Sequence, residues 1–116
     1  MDDIGEQLAG WGKVLRLRTR GRVTGRPVEV AIGYVEEPDG ALLVAAGSPD
    51  ADWARNLDAE PSCQVSIGEI GPWGGAISEL LTGAEAQRTV RELILKYGTP
   101  AERLGRGPAY RLTPEG

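Results

Sequence analysis

The chain has 116 residues, 41% of them apolar, and a formal net charge of −4 at pH 7. This length suits one domain, residues 1–116, and this apolar share is typical of a folded protein. The chain has one cysteine, Cys63, which excludes an internal disulfide. It has no histidine, which excludes imidazole-based catalysis and most zinc sites. The acidic start MDDIGEQLAGWGK and the short longest apolar run, ALLVAA, lead us to expect a cytoplasmic protein without signal peptide or membrane span.

Positive charge is concentrated in the stretch RLRTRGRVTGR, residues 16–26, which holds five arginines and no acidic residue. The rest of the chain carries eight basic and seventeen acidic side chains. The stretch has no aromatic residue, and its acidic surroundings would repel a phosphate backbone, so we expect no nucleic-acid partner. A small anionic ligand fits this asymmetry better. The alternative is a strand at the edge of a sheet, protected by its positive charge.

The first half of the chain predicts one short helix and three strands. Ile4, Leu8 and Trp11 recur at helical spacing, whereas the next segment alternates apolar side chains with arginines, as a strand with one apolar and one cationic face does. Gly21 and Gly25 bracket a hairpin turn after this first strand. The predicted elements are a helix over residues 2–12 and strands over residues 13–19, 27–35 and 41–46.

The second half predicts two helices and three strands. Ser48 and Pro49 have the residue types of an N-cap and a first helical position, and Glu60 before Pro61 ends that helix. The sequence Thr82-Gly83-Ala84-Glu85 has capping-box spacing and opens the second helix. The predicted elements are helices from residue 48 to 60 and from 82 to 97, and strands over residues 63–67, 76–81 and 109–113, with a glycine-rich loop over residues 68–75.

Six short strands in a domain of this size favour closure into a barrel, and the tight turns between successive strands favour antiparallel pairing. We therefore predict a mainly β member of the α+β class. Its architecture is a small barrel of six antiparallel strands with flanking helices, which the resemblance described next makes a six-stranded antiparallel split β-barrel.

The segments TRGRVTGRPVEV, LLVAAGSPDADWARNLDAEPSCQVSIG, KYG and YRLTP resemble, in this order, the deazaflavin-dependent nitroreductase family. Its members are split β-barrels related to flavin-binding pyridoxamine-phosphate-oxidase-like domains. The resemblance covers roughly residues 11–113. The first motif, T-x-G-R-x-[ST]-G-x-P, is filled by Thr19, Gly21, Arg22, Thr24, Gly25 and Pro27. The second, W-x-x-N-L-x-A-x-P, is filled by Trp53, Asn56, Leu57, Ala59 and Pro61.

The resemblance implies coenzyme F420, a deazaflavin whose tail carries a phosphate and several carboxylates. Guanidinium groups suit both kinds of anion, because their donors form a rigid fork. The residues implied to hold the tail are Arg20, Arg22, Thr24, Gly25 and Arg26. The residues implied to hold the ring are Gly47, Ser48, Pro49, Trp53 and Asn56. For Asn56 a bond to a neighbouring loop is the structural alternative.

The implied reaction is hydride transfer from reduced F420 to a quinone, a nitroaromatic compound or an activated alkene. Tyr34 is the side chain we name as proton donor, with solvent as the alternative. A noncatalytic binding protein of the same fold, or an FMN-binding oxidoreductase with its site at a dimer interface, are the other candidates. Val23 and Val28 stand where many members have basic residues, which keeps the choice between F420 and FMN open. Eleven arginines against two lysines fit a bacterial genome rich in G+C.

Overall fold

The computed structural model describes residues 14–67, 72–98 and 104–115, which form one antiparallel sheet and two α-helices. The strands are β1 (Leu15–Arg20), β2 (Pro27–Ile32), β3 (Val35–Glu36), β4 (Leu42–Ala45), β5 (Ser62–Ile67), β6 (Gly74–Leu81) and β7 (Ala109–Pro114). The helices are α1 (Asp52–Ala59) and α2 (Gly83–Tyr97). The helix predicted over residues 2–12 and part of the loop predicted over residues 68–75 lie outside the described residues.

The seven strands follow the order β2-β1-β5-β6-β7-β4-β3, and the sheet curls into a half-barrel. Side chains on its concave side, including Leu17, Val44 and Tyr110, form an inner cluster against α1. A second cluster, which includes Leu43 and Leu93, lies between the convex side of β4 and β7 and helix α2. Strand β4 is buried on both faces, which explains its uninterrupted apolar sequence.

The prediction of six strands was wrong, because the segment predicted as one strand over residues 27–35 breaks into β2 and β3. The break lies at Gly33 and Tyr34, where the hydroxyl of Tyr97 accepts a hydrogen bond from the Tyr34 amide at 3.0 Å and donates one to the Tyr34 carbonyl at 3.1 Å. A Cβ at residue 33 would lie 2.8 Å from the Tyr97 ring, so glycine permits this close approach. Tyr97, which lies 63 positions after Tyr34 in the sequence, therefore holds the chain in this bend.

Strand β1 has the two faces that alternation predicts, with Leu15, Leu17 and Thr19 buried and the arginines between them on the opposite side. It is an interior strand, however, paired with both β2 and β5. The interpretation of the arginines as protection of a sheet edge is therefore wrong.

Both helices end near the predicted residues, but the start of α1 and the capping of α2 differ from the prediction. Helix α1 begins at Asp52, with Ala51 as its N-cap, because the Ser48 hydroxyl accepts from the Asp50 amide at 3.1 Å and closes a separate turn. Helix α2 begins after Thr82 as predicted, without a side-chain cap, because the Glu85 carboxylate pairs with an arginine of β7. Neither described helix is long and apolar enough to cross a bilayer.

Candidate functional site

The hairpin between β1 and β2 has a tight turn built around two glycines, as predicted. The Gly21 amide donates to the Arg26 carbonyl at 2.8 Å, and the Gly25 amide donates to the Gly21 carbonyl at 2.8 Å. Gly25 has φ +74°, a conformation that side chains with a Cβ rarely adopt. The Thr24 hydroxyl accepts from the Arg26 amide at 3.2 Å, so Thr24 shapes the turn.

The five arginines of this segment do not form one cluster. Arg16 and Arg18 project from the convex face of β1 and stack on Trp73, with guanidinium carbons 5.0 and 4.0 Å from a ring centroid of the indole. Arg18 also donates to Gln64 on β5 at 3.0 Å and to Glu29 on β2 at 3.2 Å. These cross-strand contacts give Arg18 a structural role.

Arg22 instead turns toward the first turns of α1. Its Nη1 donates to Asn56 Oδ1 at 2.7 Å and to the Asp52 carbonyl at 3.3 Å, and its Nη2 lies 3.1 Å from Asp52 Oδ1. Its backbone amide also donates to Asn56 Oδ1, at 3.2 Å. The hairpin is thereby fixed to the helix by a guanidinium whose orientation is defined.

Asn56 is the buried centre of this arrangement, with a side chain only 2% exposed. Its Nδ2 donates to the Thr19 hydroxyl at 3.1 Å, while its Oδ1 accepts both bonds from Arg22. Because both ends of the amide have partners, its burial carries no unsatisfied polar atom. Asn56 thus forms the bond to a neighbouring loop that was the structural alternative for this residue. Its predicted contact with the cofactor ring stays a prediction.

Arg20 and Arg26 form no ion pair among the described residues. A Cβ at Gly25 would lie 3.9 Å from Arg20 Nε and Nη2, so this guanidinium lies over the turn. Beside it, a shallow groove of about 300 Å³ occupies the opening where β1 and β5 stop pairing, beyond Arg18 and Gln64. The groove is lined by Arg18, Thr19, Arg20, Gly25, Pro27, Ser62, Cys63 and Gln64. Guanidinium, hydroxyl and amide groups of this kind are suitable donors for a phosphate or carboxylate.

The predicted ring-binding loop lies after β4 and is exposed at Gly47, Ser48 and Pro49. Gly107 supports it from below, since a Cβ there would lie 2.8 Å from the Ser48 carbonyl oxygen. The Ala46 amide also donates to the Pro108 carbonyl at 2.9 Å. The loop is therefore held in place by the segment that leads into β7.

Trp53 lies on α1 but faces the inner cluster, where its ring centroid is 5.8 Å from that of Tyr110. The indole is buried, so Trp53 belongs to the core in this structure, and its predicted contact with a ring stays a prediction. It does not line the groove beside Arg20.

Tyr34 is half-buried at the bend between β2 and β3 and packs against the inner cluster. Lys96 of α2 donates to the Tyr34 carbonyl at 2.7 Å, and its ammonium lies 4.0 Å from the Tyr34 ring centroid. Burial, and secondly the nearby Glu36 carboxylate, raise the pKa of the Tyr34 phenol. The phenol is therefore protonated at neutral pH, the form that a proton donor requires.

Three residues near the hairpin were not predicted as members of this site. Asp52 pairs with Arg22, a contact that the spacing within the sequence does not reveal. Ser62 and Gln64 enter the groove because β5 lies beside β1. Their alternation along β5 placed them on one face, but only the strand order shows which neighbour that face meets.

Solved structures with the same fold are similar to this chain at 18–20% sequence identity. The heme storage protein HutZ from Vibrio cholerae has a TM-score of 0.75 at 20% identity, over 96% of this chain and 87% of that one. An F420-H2 dependent reductase, FDR-A, has a TM-score of 0.67 at 20% identity, over 86% and 93%. A heme binding protein from Mycobacterium smegmatis has a TM-score of 0.66 at 18% identity, over 96% and 50%.

A comparison with curated proteins finds no match. The family model described as F420H(2)-dependent quinone reductase matches residues 2–105, which is most of the chain. The match runs through the arginine hairpin, the exposed loop after β4 and helix α1. The chain therefore belongs to the F420H2-dependent quinone reductase family.

Proposed function

We propose that this protein binds coenzyme F420 and reduces an organic acceptor, a quinone, a nitroaromatic compound or an activated alkene. Family membership supports use of the cofactor. The observation that carries the proposal is the arrangement at the hairpin. There, Arg22 is oriented by a buried amide beside Arg20 and Arg26, which have no ion pair among the residues described.

The anionic tail of F420 fits the donor set of the hairpin and the groove. A phosphate accepts a pair of hydrogen bonds from one guanidinium, and carboxylates do the same. Arg20 and Arg26 would meet the carboxylates, while Arg22, together with the amides of the turn, would meet the phosphate. Arg22 already lies at a defined position, which reduces the ordering cost of the contact that it would make.

The neutral ring would lie toward the exposed loop after β4. Val30, Ile32 and Tyr34 form a partly exposed apolar strip along the inner side of the edge strand, and Ala51 packs against the same cluster. This strip would take the apolar role that the sequence assigned to Trp53. The amides of Gly47 and Ser48 would donate to the carbonyl edge of the ring.

When bound, reduced F420 supplies a hydride from a ring carbon to the acceptor. The chain's own contribution is to orient the two reactants, to exclude water and to deliver one proton to the reduced acceptor. Tyr34 is the candidate donor, because a tyrosine hydroxyl is protonated at neutral pH and burial raises the pKa of this one further. Reduction of a quinone then balances as one hydride and one proton per hydroquinone.

A fluorescence titration with F420 tests the proposal. We expect binding at micromolar concentrations, and we expect Arg20→Ala to weaken it by about tenfold, as loss of one charge-assisted contact does. Arg91→Ala is the matched control, because it removes an equal charge from an exposed position on α2, a helix that does not line the groove. Equal effects of the two substitutions, or no fluorescence response at high protein concentration, would refute the assignment.

The other candidates give different results in the same assay. An FMN-binding oxidoreductase would bind added FMN in preference to F420. A noncatalytic protein would bind F420 yet leave its reduced form unconsumed with every acceptor. The heme storage protein among the structural neighbours suggests heme as a further competitor, although this chain has no histidine to ligate the iron.

A further inference from the structure

Arg22 already has an anionic partner, because the Asp52 carboxylate lies 3.1 Å from its Nη2. The two side chains differ in their freedom to move. The side chain of Asp52 is 79% exposed, whereas that of Arg22 is 30% exposed. An ion pair with one such exposed member contributes little to stability, so the carboxylate can leave at small cost.

The guanidinium would stay in place when the carboxylate leaves. Its Nη1 is bonded to Asn56 Oδ1 at 2.7 Å and to the Asp52 main-chain carbonyl at 3.3 Å. Neither contact involves the Asp52 carboxylate. The Nη2 group of Arg22 is therefore an oriented hydrogen-bond donor, and its present acceptor, the Asp52 carboxylate, can be replaced by another anion.

We propose that Asp52 occupies the anion position of Arg22 and is displaced by the phosphate-bearing tail of the cofactor. This inference rests on the proposed function and adds a residue that sets affinity. Because the carboxylate must be displaced, Asp52 lowers the affinity for every ligand that uses Arg22. A ligand without an anionic group does not displace it, so Asp52 narrows the difference in affinity between tailed and tail-less deazaflavins.

Asp50 provides the matched control for this inference. It lies two residues before Asp52 in the loop leading into α1, and its side chain is 86% exposed. Its nearest cation is Arg55, at 3.9 Å, and not Arg22. Asp50→Asn and Asp52→Asn therefore remove the same charge from the same end of the helix, but only the second frees Arg22.

The experiment is a fluorescence titration of the parent, Asp50→Asn and Asp52→Asn proteins with F420 and with the same deazaflavin lacking its phosphate and glutamate tail. We expect Asp52→Asn to tighten F420 binding by about three- to fivefold, the upper end of the range for exposed ion pairs, and Asp50→Asn by less than about twofold. Neither substitution should change binding of the tail-less compound. In an Arg22→Ala background, Asp52→Asn should have no effect on F420 binding.

Unchanged or weaker F420 binding by Asp52→Asn would overturn the inference, because the carboxylate would then be neutral or would support the site. Tightening that Asp50→Asn reproduces would also overturn it, since the effect would be one of overall charge. In both cases the parent still binds F420 and the proposed function stands. A parent protein that binds no F420 would overturn the proposed function and this inference together.

Discussion

Asn56 and Arg22 show how single side chains prepare the hairpin for an anion. The Asn56 amide is buried, and its side-chain bonds go to Thr19 and to Arg22, both on the hairpin. Separating the helix from the hairpin would leave this buried amide without hydrogen-bond partners, which would lower the stability of the fold. The bonds of Asn56 therefore hold the helix and the hairpin together. The orientation of the guanidinium thus follows from the packing of α1 and not from the arginine itself.

Cys63 illustrates a residue whose chemistry is suppressed by its surroundings. Its side chain is 7% exposed, and its thiol donates to the Ala76 carbonyl at 3.6 Å. Burial, and secondly the Glu115 carboxylate, raise the pKa of this thiol to about 11. The thiol is therefore protonated and unreactive at neutral pH, and Cys63 acts as a small core residue.

Alkaline pH should destabilise the protein through this thiol. An unfolded cysteine ionises near about pH 8.5, before the folded one does. Since the unfolded state then binds fewer protons, the free energy of unfolding should fall from about pH 8.5 up to the folded pKa of about 11. Urea unfolding across this pH range should show a smaller fall for Cys63→Ala. Fast alkylation of native Cys63 at pH 8 would contradict the expectation.

At the scale of the elements, the bend between β2 and β3 depends on the last residue of α2. Tyr97 donates to and accepts from the backbone of Tyr34, and its ring lies directly against Gly33. The bend directs β2 toward β1 and β3 toward β4, at the two ends of the strand order. The contact between Tyr97, at the end of α2, and Gly33 therefore determines the bend that shapes the half-barrel.

Gly33→Ala should lower the free energy of unfolding by about 1–3 kcal/mol, the usual cost of overpacking a well-packed site. The added Cβ would lie 2.8 Å from the Tyr97 ring, so the ring must move and weaken its bonds to Tyr34. Gly74→Ala is the control, because a Cβ there meets no heavy atom within 4 Å. Urea denaturation of both variants checks this, and equal midpoints would show that the contact with Tyr97 is unimportant.

At the scale of the whole molecule, charge is separated between two regions. The hairpin concentrates arginines, while β7 and its neighbours β6 and α2 hold a network around Arg111. Arg111 contacts Glu37 at 3.4 Å, Glu79 at 3.3 Å and Glu85 at 2.7 Å, which joins β7 to the turn after β3, to β6 and to α2. These contacts, led by the bond to Glu85, raise the pKa of the Arg111 guanidinium further above its ordinary range.

Replacement of Arg111 by methionine should lower the free energy of unfolding by about 1 kcal/mol at low ionic strength, because Glu79 and Glu85 then lose this cation and Glu37 keeps only Arg88. The loss should shrink in molar salt, which screens exposed charges. Arg88→Met is the comparison, since Arg88 contacts only Glu37 and Glu92 among the described residues, and we expect a smaller loss. If the loss in free energy of unfolding for Arg111→Met is independent of salt, its cause is lost packing and not lost ion pairing.

Local patterns in the sequence predicted most elements, because they depend on neighbours along the chain. Alternation predicted the two faces of β1, and α2 ends at Tyr97, the last residue of the predicted helix. The start of α1 was wrong, since Ser48 closes its own turn, and the predicted capping bond of Glu85 is replaced by a pair with Arg111. In both cases a polar side chain, Ser48 or Glu85, forms a different contact from the capping bond that its sequence motif predicts.

The sequence by itself determined that this protein is a mainly β domain with a cationic hairpin, because periodicity, turn glycines and charge are local properties. The tertiary structure alone decided that the arginines separate into different roles. Arg18 pairs across the sheet, Arg22 is held by α1, and Arg20 lies over the turn. These roles depend on which strand and helix lie beside β1, and such contacts join residues distant in sequence that no local pattern specifies.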